Sequence, residues 1–133
     1  MRPCAVTVAL SWLVLSGMAR AEPPICPPSI VVAEMVRTVP DGWKTVTGDG
    51  QRRLDNVSVS QGPFEHLSAL APEDRETGKL TSEAIWDVHT GEEFWLVCHY
   101  ANSNVTVTRK LDPDIKRCVV SYKQDVMKKW VCK

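Results

Sequence analysis

From Phe94 to Tyr122 the chain reads FWLVCHYANSNVTVTRKLDPDIKRCVVSY, three short apolar or alternating runs parted by two turn signals, Ala101-Asn102-Ser103-Asn104 and Asp112-Pro113-Asp114. Runs of this kind between turn residues predict antiparallel strands. A tight turn at Asn102-Ser103 sets Cys98 opposite Val107 and Tyr100 opposite Val105. A second turn over residues 112–115 then sets Val107 opposite Val120 and Arg109 opposite Cys118. Side chains alternate across a strand, so Leu96, Cys98, Tyr100, Val105, Val107, Cys118, Val120 and Tyr122 fall on one apolar face. The strand 94–100 is also apolar on its reverse, through Trp95, Val97 and His99, and is the best candidate for burial on both sides.

Working outward, residues 80–88 (LTSEAIWDV) predict a strand that hairpins into 94–100 through His89-Thr90-Gly91-Glu92, with Trp86 opposite Phe94 and Ala84 opposite Leu96. Residues 123–126 predict a turn that sets Cys118 opposite Cys132 and Val120 opposite Trp130. Upstream, residues 29–37 (SIVVAEMVR) form a β-branched first strand. Residues 43–47 form a short second strand, and Gly48-Asp49-Gly50 is read as a turn. Residues 53–60 alternate well. Residues 64–70 (FEHLSAL) alone have helical spacing, enough for one short helix, and 71–79 (APEDRETGK) read as a charged loop. The class that follows is all-β: an antiparallel meander forming a small sandwich or partly closed barrel, with one short helix.

The first residues stand apart from this domain. A basic start at Arg2, an apolar run over 5–14 and the small-x-small step Ala19-Arg20-Ala21 make residues 1–21 a secretory signal peptide, leaving 22–133 as a single β domain. The apolar run falls short of the roughly 20 residues of a membrane span, so no membrane insertion is expected after cleavage. Basic and acidic side chains balance at 16 each, and two of the bases, Arg2 and Arg20, belong to the leader. The remaining domain is weakly acidic with scattered bases, which argues against nucleic acid as a partner. The expected location is periplasmic or secreted.

Four of the five cysteines lie beyond the leader, an even number in a small exported chain, and imply two disulfides. Cys98 and Cys118 sit two strands apart in the register above, roughly 9–10 Å, beyond bridging reach. Cys118 and Cys132 match across a hairpin, which leaves Cys26 for Cys98. No C-x₂₋₄-C pair suggests zinc, and neither a metal nor another cofactor is expected.

Little points to catalysis. His66, His89 and His99 lie in separate segments, no G-x-S-x-G surrounds a serine, and the cysteines are committed to bridges. The acidic pairs Glu73-Asp74, Glu92-Glu93 and Asp112/Asp114 fall in expected turns, where they favour turn geometry and solubility. Trp86 and Trp130 belong to the core face. Trp43 and Trp95 do not, and with His99 they are the candidates for a binding patch; a second small core under residues 64–70 is the competing reading of the two tryptophans.

Cys26-Pro27, Gly42-Trp43, Leu54-Asp55-Asn56-Val57, Gly62-Pro63, Leu70-x-Pro72, Trp95-Leu96-Val97-Cys98-His99-Tyr100 and Cys118-Val119-Val120, in that order, resemble a family of small exported bacterial proteins of unassigned activity. That resemblance implies a Gram-negative periplasmic address and a neighbourhood of secretion-system effectors. It carries over no catalytic residue. The function expected is a non-enzymatic domain that binds a protein, as an inhibitor or immunity partner. The alternatives are a small hydrolase or ligand-binding protein using His99 or His89, and a structural envelope component.

Overall fold

The computed structural model describes residues 25–35, 37–45 and 48–133; the expected signal peptide lies outside them. Among the described residues nine strands follow in chain order: β1 (Ser29–Glu34), β2 (Gly48–Gln61), β3 (Ser68–Ala69), β4 (Glu73–Gly78), β5 (Thr81–Asp87), β6 (Phe94–Tyr100), β7 (Thr106–Lys110), β8 (Arg117–Lys123) and β9 (Val126–Cys132). All pairings are antiparallel. One curled sheet has the order β1-β2-β6-β7, with β3 added to the end of β2, and the other has the order β4-β5-β8-β9. The all-β class with two disulfides stands as expected.

The path between the sheets differs from the expected meander. β5 does not hairpin into β6: Trp86 faces Cys118 rather than Phe94, and Ala84 faces Val120 rather than Leu96. Phe94 and Leu96 pair instead with Gln61 and Val59. β7 likewise does not pair with β8, so Val107 meets Cys98 but not Val120, and Arg109 meets Leu96 but not Cys118. The chain crosses from one sheet to the other over residues 88–93 and returns over 111–116. Both crossings are anchored by buried apolar residues, Val88 and Phe94 at one, Leu111 and Ile115 at the other. Burying those four side chains between the layers favours a crossing over a tight hairpin that would leave them in water.

Three shorter expectations also change. Gly48-Asp49-Gly50 is no turn but the start of β2, paired with Val32, Ala33 and Glu34, and no strand covers residues 43–45. The helix over 64–70 is a single 3-10 turn, Phe64–His66, followed by β3. The charged segment after Ala71 is a strand, β4, exposed along its whole length at a sheet edge. Charge on an edge strand discourages pairing with foreign chains, and for that reason its composition resembles a loop.

The core lies between the inner faces. Val57 and Val59 of β2, Leu96 and Cys98 of β6, Ala84 and Trp86 of β5, and Cys118 and Val120 of β8 form it, closed by Leu111 and Ile115. Two of the predicted hairpins, β6–β7 and β8–β9, form at the expected turns. Asn102 takes φ 54° in the β6–β7 turn, and Gln124 and Asp125 take φ 51° and 60° in the β8–β9 turn, where Val120 faces Trp130.

Cys26–Cys98 closes a separation of 72 residues and Cys118–Cys132 one of 14. Cys98 and Cys118 belong to different sheets, which separates them for a reason other than the strand spacing argued above. Tyr100 Oη donates to the Pro27 carbonyl at 3.0 Å and Leu54 N to the Pro28 carbonyl at 2.9 Å, so the bridge, the phenol and β2 all hold the amino-terminal segment. Loop entropy then ranks the bridges, about 4.4 kcal/mol for the longer loop and about 3 for the shorter. Denaturant unfolding of Cys26→Ser/Cys98→Ser is expected to show the larger loss, and equal or reversed losses would refute this ranking.

Candidate functional site

β6 is apolar on both faces, and only one of them can join the core between the sheets. Phe94, Leu96, Cys98 and Tyr100 point inward and are all buried. Trp95, Val97 and His99 therefore share the outer face. Across the ladder on that face stand Ser60 and Ser58 of β2, and Lys110, Thr108 and Thr106 of β7, while Asn56, beside a register irregularity in β2, turns its side chain to Tyr122 of the other sheet.

Trp95 is held rather than free. Its Nε1 donates to the Gly62 carbonyl at 2.9 Å, laying the indole toward the end of β2, where its cross-strand partner Ser60 is buried. Gly62 takes φ 109°, and a Cβ there would meet the His66 carbonyl oxygen at 3.1 Å, so glycine is what lets the chain fold back here. That turn delivers Phe64, whose ring lies 5.3 Å from the Trp95 ring, tilted by 49°. Phe64 is 57% exposed, an unusual state for a phenylalanine fixed against another aromatic. Lys110 Nζ stands 6.0 Å from the Trp95 ring and is paired with Glu93 at 2.7 Å. The result is an aromatic platform with a charged rim.

His99 occupies the other end of the same face, with nearly buried Val97 between it and Trp95. Its Nε2 and Ser58 Oγ are hydrogen-bonded at 2.7 Å. Burial pushes the ring below the ordinary histidine range, while the charge of Asp55 pulls the other way. The imidazole is thus neutral at pH 7 and anchored to a hydroxyl.

Trp43 is 74% exposed in the segment joining β1 to β2. That segment leads into the Gly48 end of β2, whereas Trp95 pairs with Ser60 near the other end, and among the described residues no hydrogen bond or ring contact joins Trp43 to Trp95 or His99. Trp95 and His99 therefore share a surface that does not include Trp43. His89 lines cavities of about 260 and 230 Å³ with Glu92 beside the 88–93 crossing, and the smaller cavity also reaches Glu93 and Lys110 of the platform rim. Among the described residues no cluster of three or more His, Cys, Asp or Glu is arranged to hold a metal ion. No described helix is long and apolar enough to cross a membrane.

A larger cleft, of about 740 Å³, opens on the inner side of β4 and β5. Asn56 and Tyr122 close one end of it. Tyr122 Oη donates to Asn56 Oδ1 at 2.7 Å, and the same oxygen accepts the Val57 amide at 2.8 Å. Burial raises the Tyr122 phenol, its bond to Asn56 offsets part of that, and the charge of Asp74 adds to the rise. Phe64 and this cleft were not legible as site features: Phe64 reads as one face of a helix, and the cleft depends on a strand that reads as a loop.

Compared with known families, residues 49–133 match the type VI secretion system Tli immunity protein family. No curated protein and no solved structure matches. The matched stretch contains the whole aromatic platform, His99 and the cleft, while β1 and Trp43 precede it.

The His99 environment sets a pH dependence. Its folded value lies below the unfolded value near 6.5, so the native state binds fewer protons; the associated stability is full above about pH 6.5 and is lost as pH falls through the lower folded value. Urea unfolding from pH 7.5 to 5 is expected to fall more steeply for wild type than for His99→Gln. Parallel pH profiles would contradict the assignment.

Proposed function

The chain belongs to the type VI secretion system Tli immunity protein family, and on that premise we propose that it is an exported, stoichiometric inhibitor that engages its effector through the Phe64–Trp95 platform. An immunity protein acts by binding an effector protein, so the question is which surface does so and where. The exposed ring of Phe64 in tilted contact with an anchored Trp95 is the observation that carries the choice. Rigid aromatic groups ringed by charged and polar side chains are what binding hot spots use, because little side-chain freedom remains to be lost. Lys110, Glu93 and the Ser58–His99 pair supply the polar rim.

The leader over residues 1–21 and the two disulfides support export to an oxidising compartment, the periplasm. Inhibition without turnover fits a face built for contact, with His99 as a polar contact bonded to Ser58. Trp43, at the far end of β2, is a separate and secondary contact.

Co-expression of the chain with a periplasm-directed effector, and titration calorimetry of the purified pair, test this reading. Phe64→Ala and Trp95→Ala are each expected to weaken binding by about thirtyfold or more, the range of a hot-spot residue, and to lose protection. Phe64→Ala is expected to leave the melting temperature unchanged, and Trp43→Ala to cost less affinity than either. Wild-type protection and affinity in both platform variants would sink the assignment. Intact mass of the exported chain checks the processing: the mature protein should begin at Glu22.

A further inference from the structure

From the cleft inside β4 we infer that the chain has a second recognition site, which takes an extended effector segment carrying lysine or arginine. This rests on the reading that the chain binds an effector protein, and it adds a contact beside the aromatic platform, the two meeting at Ser58, which lines the cleft and is bonded to His99.

The cleft exists because the first sheet is incomplete. β1 pairs with β2 only from Gly48 to Arg53, and β3 pairs only with Ser60 and Gln61. The last bond on one side joins Leu54 N to the Pro28 carbonyl, and the first on the other joins Leu70 N to the Val59 carbonyl. Between them, among the described residues, no strand is hydrogen-bonded to the edge of β2 opposite β6 over roughly 17 Å, the length of a short extended peptide. Asn56 Oδ1 accepts both the Val57 amide and the Tyr122 hydroxyl, so that amide is satisfied without a pairing strand.

The chemistry facing this opening is specific. On β4, Asp74 pairs with Ala84 and Glu76 with Ser82, so both carboxylates lie on the inner row that continues the core face of β5. Inward positions of a sandwich are ordinarily apolar. Asp125 joins them from the β8–β9 turn. Arg75, the one base on β4, is engaged by Glu83, and none of the four ion pairs among the described residues involves Asp74, Glu76 or Asp125. Behind the carboxylates the floor is Leu70, Ala84 and Trp86, the indole fixed by its bond to the Leu70 carbonyl at 3.0 Å.

An apolar floor under a rim of unpaired carboxylates fits a side chain with a long methylene stem and a cationic head. Lysine and arginine are the two that have both. A volume of about 740 Å³ along an open strand edge admits the backbone that bears them as well.

The test is surface-plasmon kinetics with the purified effector that the wild-type chain neutralises, at 50 and 300 mM salt, for wild type and Asp74→Asn/Glu76→Gln. Both substitutions lie on an exposed edge strand, and an unchanged melting curve verifies the fold. The inference expects at least about a tenfold loss of affinity at low salt, carried mainly by faster dissociation and narrowing at high salt. Equal affinity, or a change confined to the association rate as a distant field would produce, overturns it and leaves the platform reading standing. A wild-type chain that binds no effector removes both together.

Discussion

Side chains alternate across a strand, so a strand apolar on both faces can give only one row to its own core. β6 is such a strand, and the rest of the molecule is arranged around it. Its inner row joins β2 to the second sheet through Leu96 and Cys98. On its outer row, among the described residues, local chemistry engages the polar and aromatic groups: a carbonyl takes the indole N–H, a hydroxyl the imidazole, and Phe64 lies against the Trp95 ring. That leaves an organised surface that is neither core nor ordinary solvent-facing sheet.

The scaffold behind this surface is held at both ends by covalent links. Cys98 lies in the middle of β6 and is tied to the amino-terminal segment, while Cys118 and Cys132 join the two last strands of the opposite sheet. A domain of this length buries a modest core, and such links substitute for area it lacks. A stiff outer face suits an inhibitor, since little ordering remains to oppose association.

What the sequence made legible was local. The β6–β7 and β8–β9 hairpins followed from turn residues, and the Val120–Trp130 register followed from the second turn. Alternation along residues 94–100 placed Trp95 and His99 on one face before any coordinates. The two crossings were not legible, because a segment such as 111–116 carries turn residues whether it reverses a hairpin or spans two layers. Only the burial of Leu111 and Ile115 decides between them. β4 was hidden by its charge, and with it the cleft. Phe64 was hidden because Phe64 and Leu67 are spaced as helix neighbours would be, while the structure makes a single 3-10 turn there.

The outer face of β6, with Phe64, is the proposed effector-binding surface. Hydrogen–deuterium exchange of the free chain and of its complex with the effector tests it most directly, because it reads every segment at once without altering the protein. The account predicts that protection gained on binding is strongest over residues 58–66 and 94–100. Protection confined to the outer side of β8 and β9, with those two segments unchanged, would contradict it.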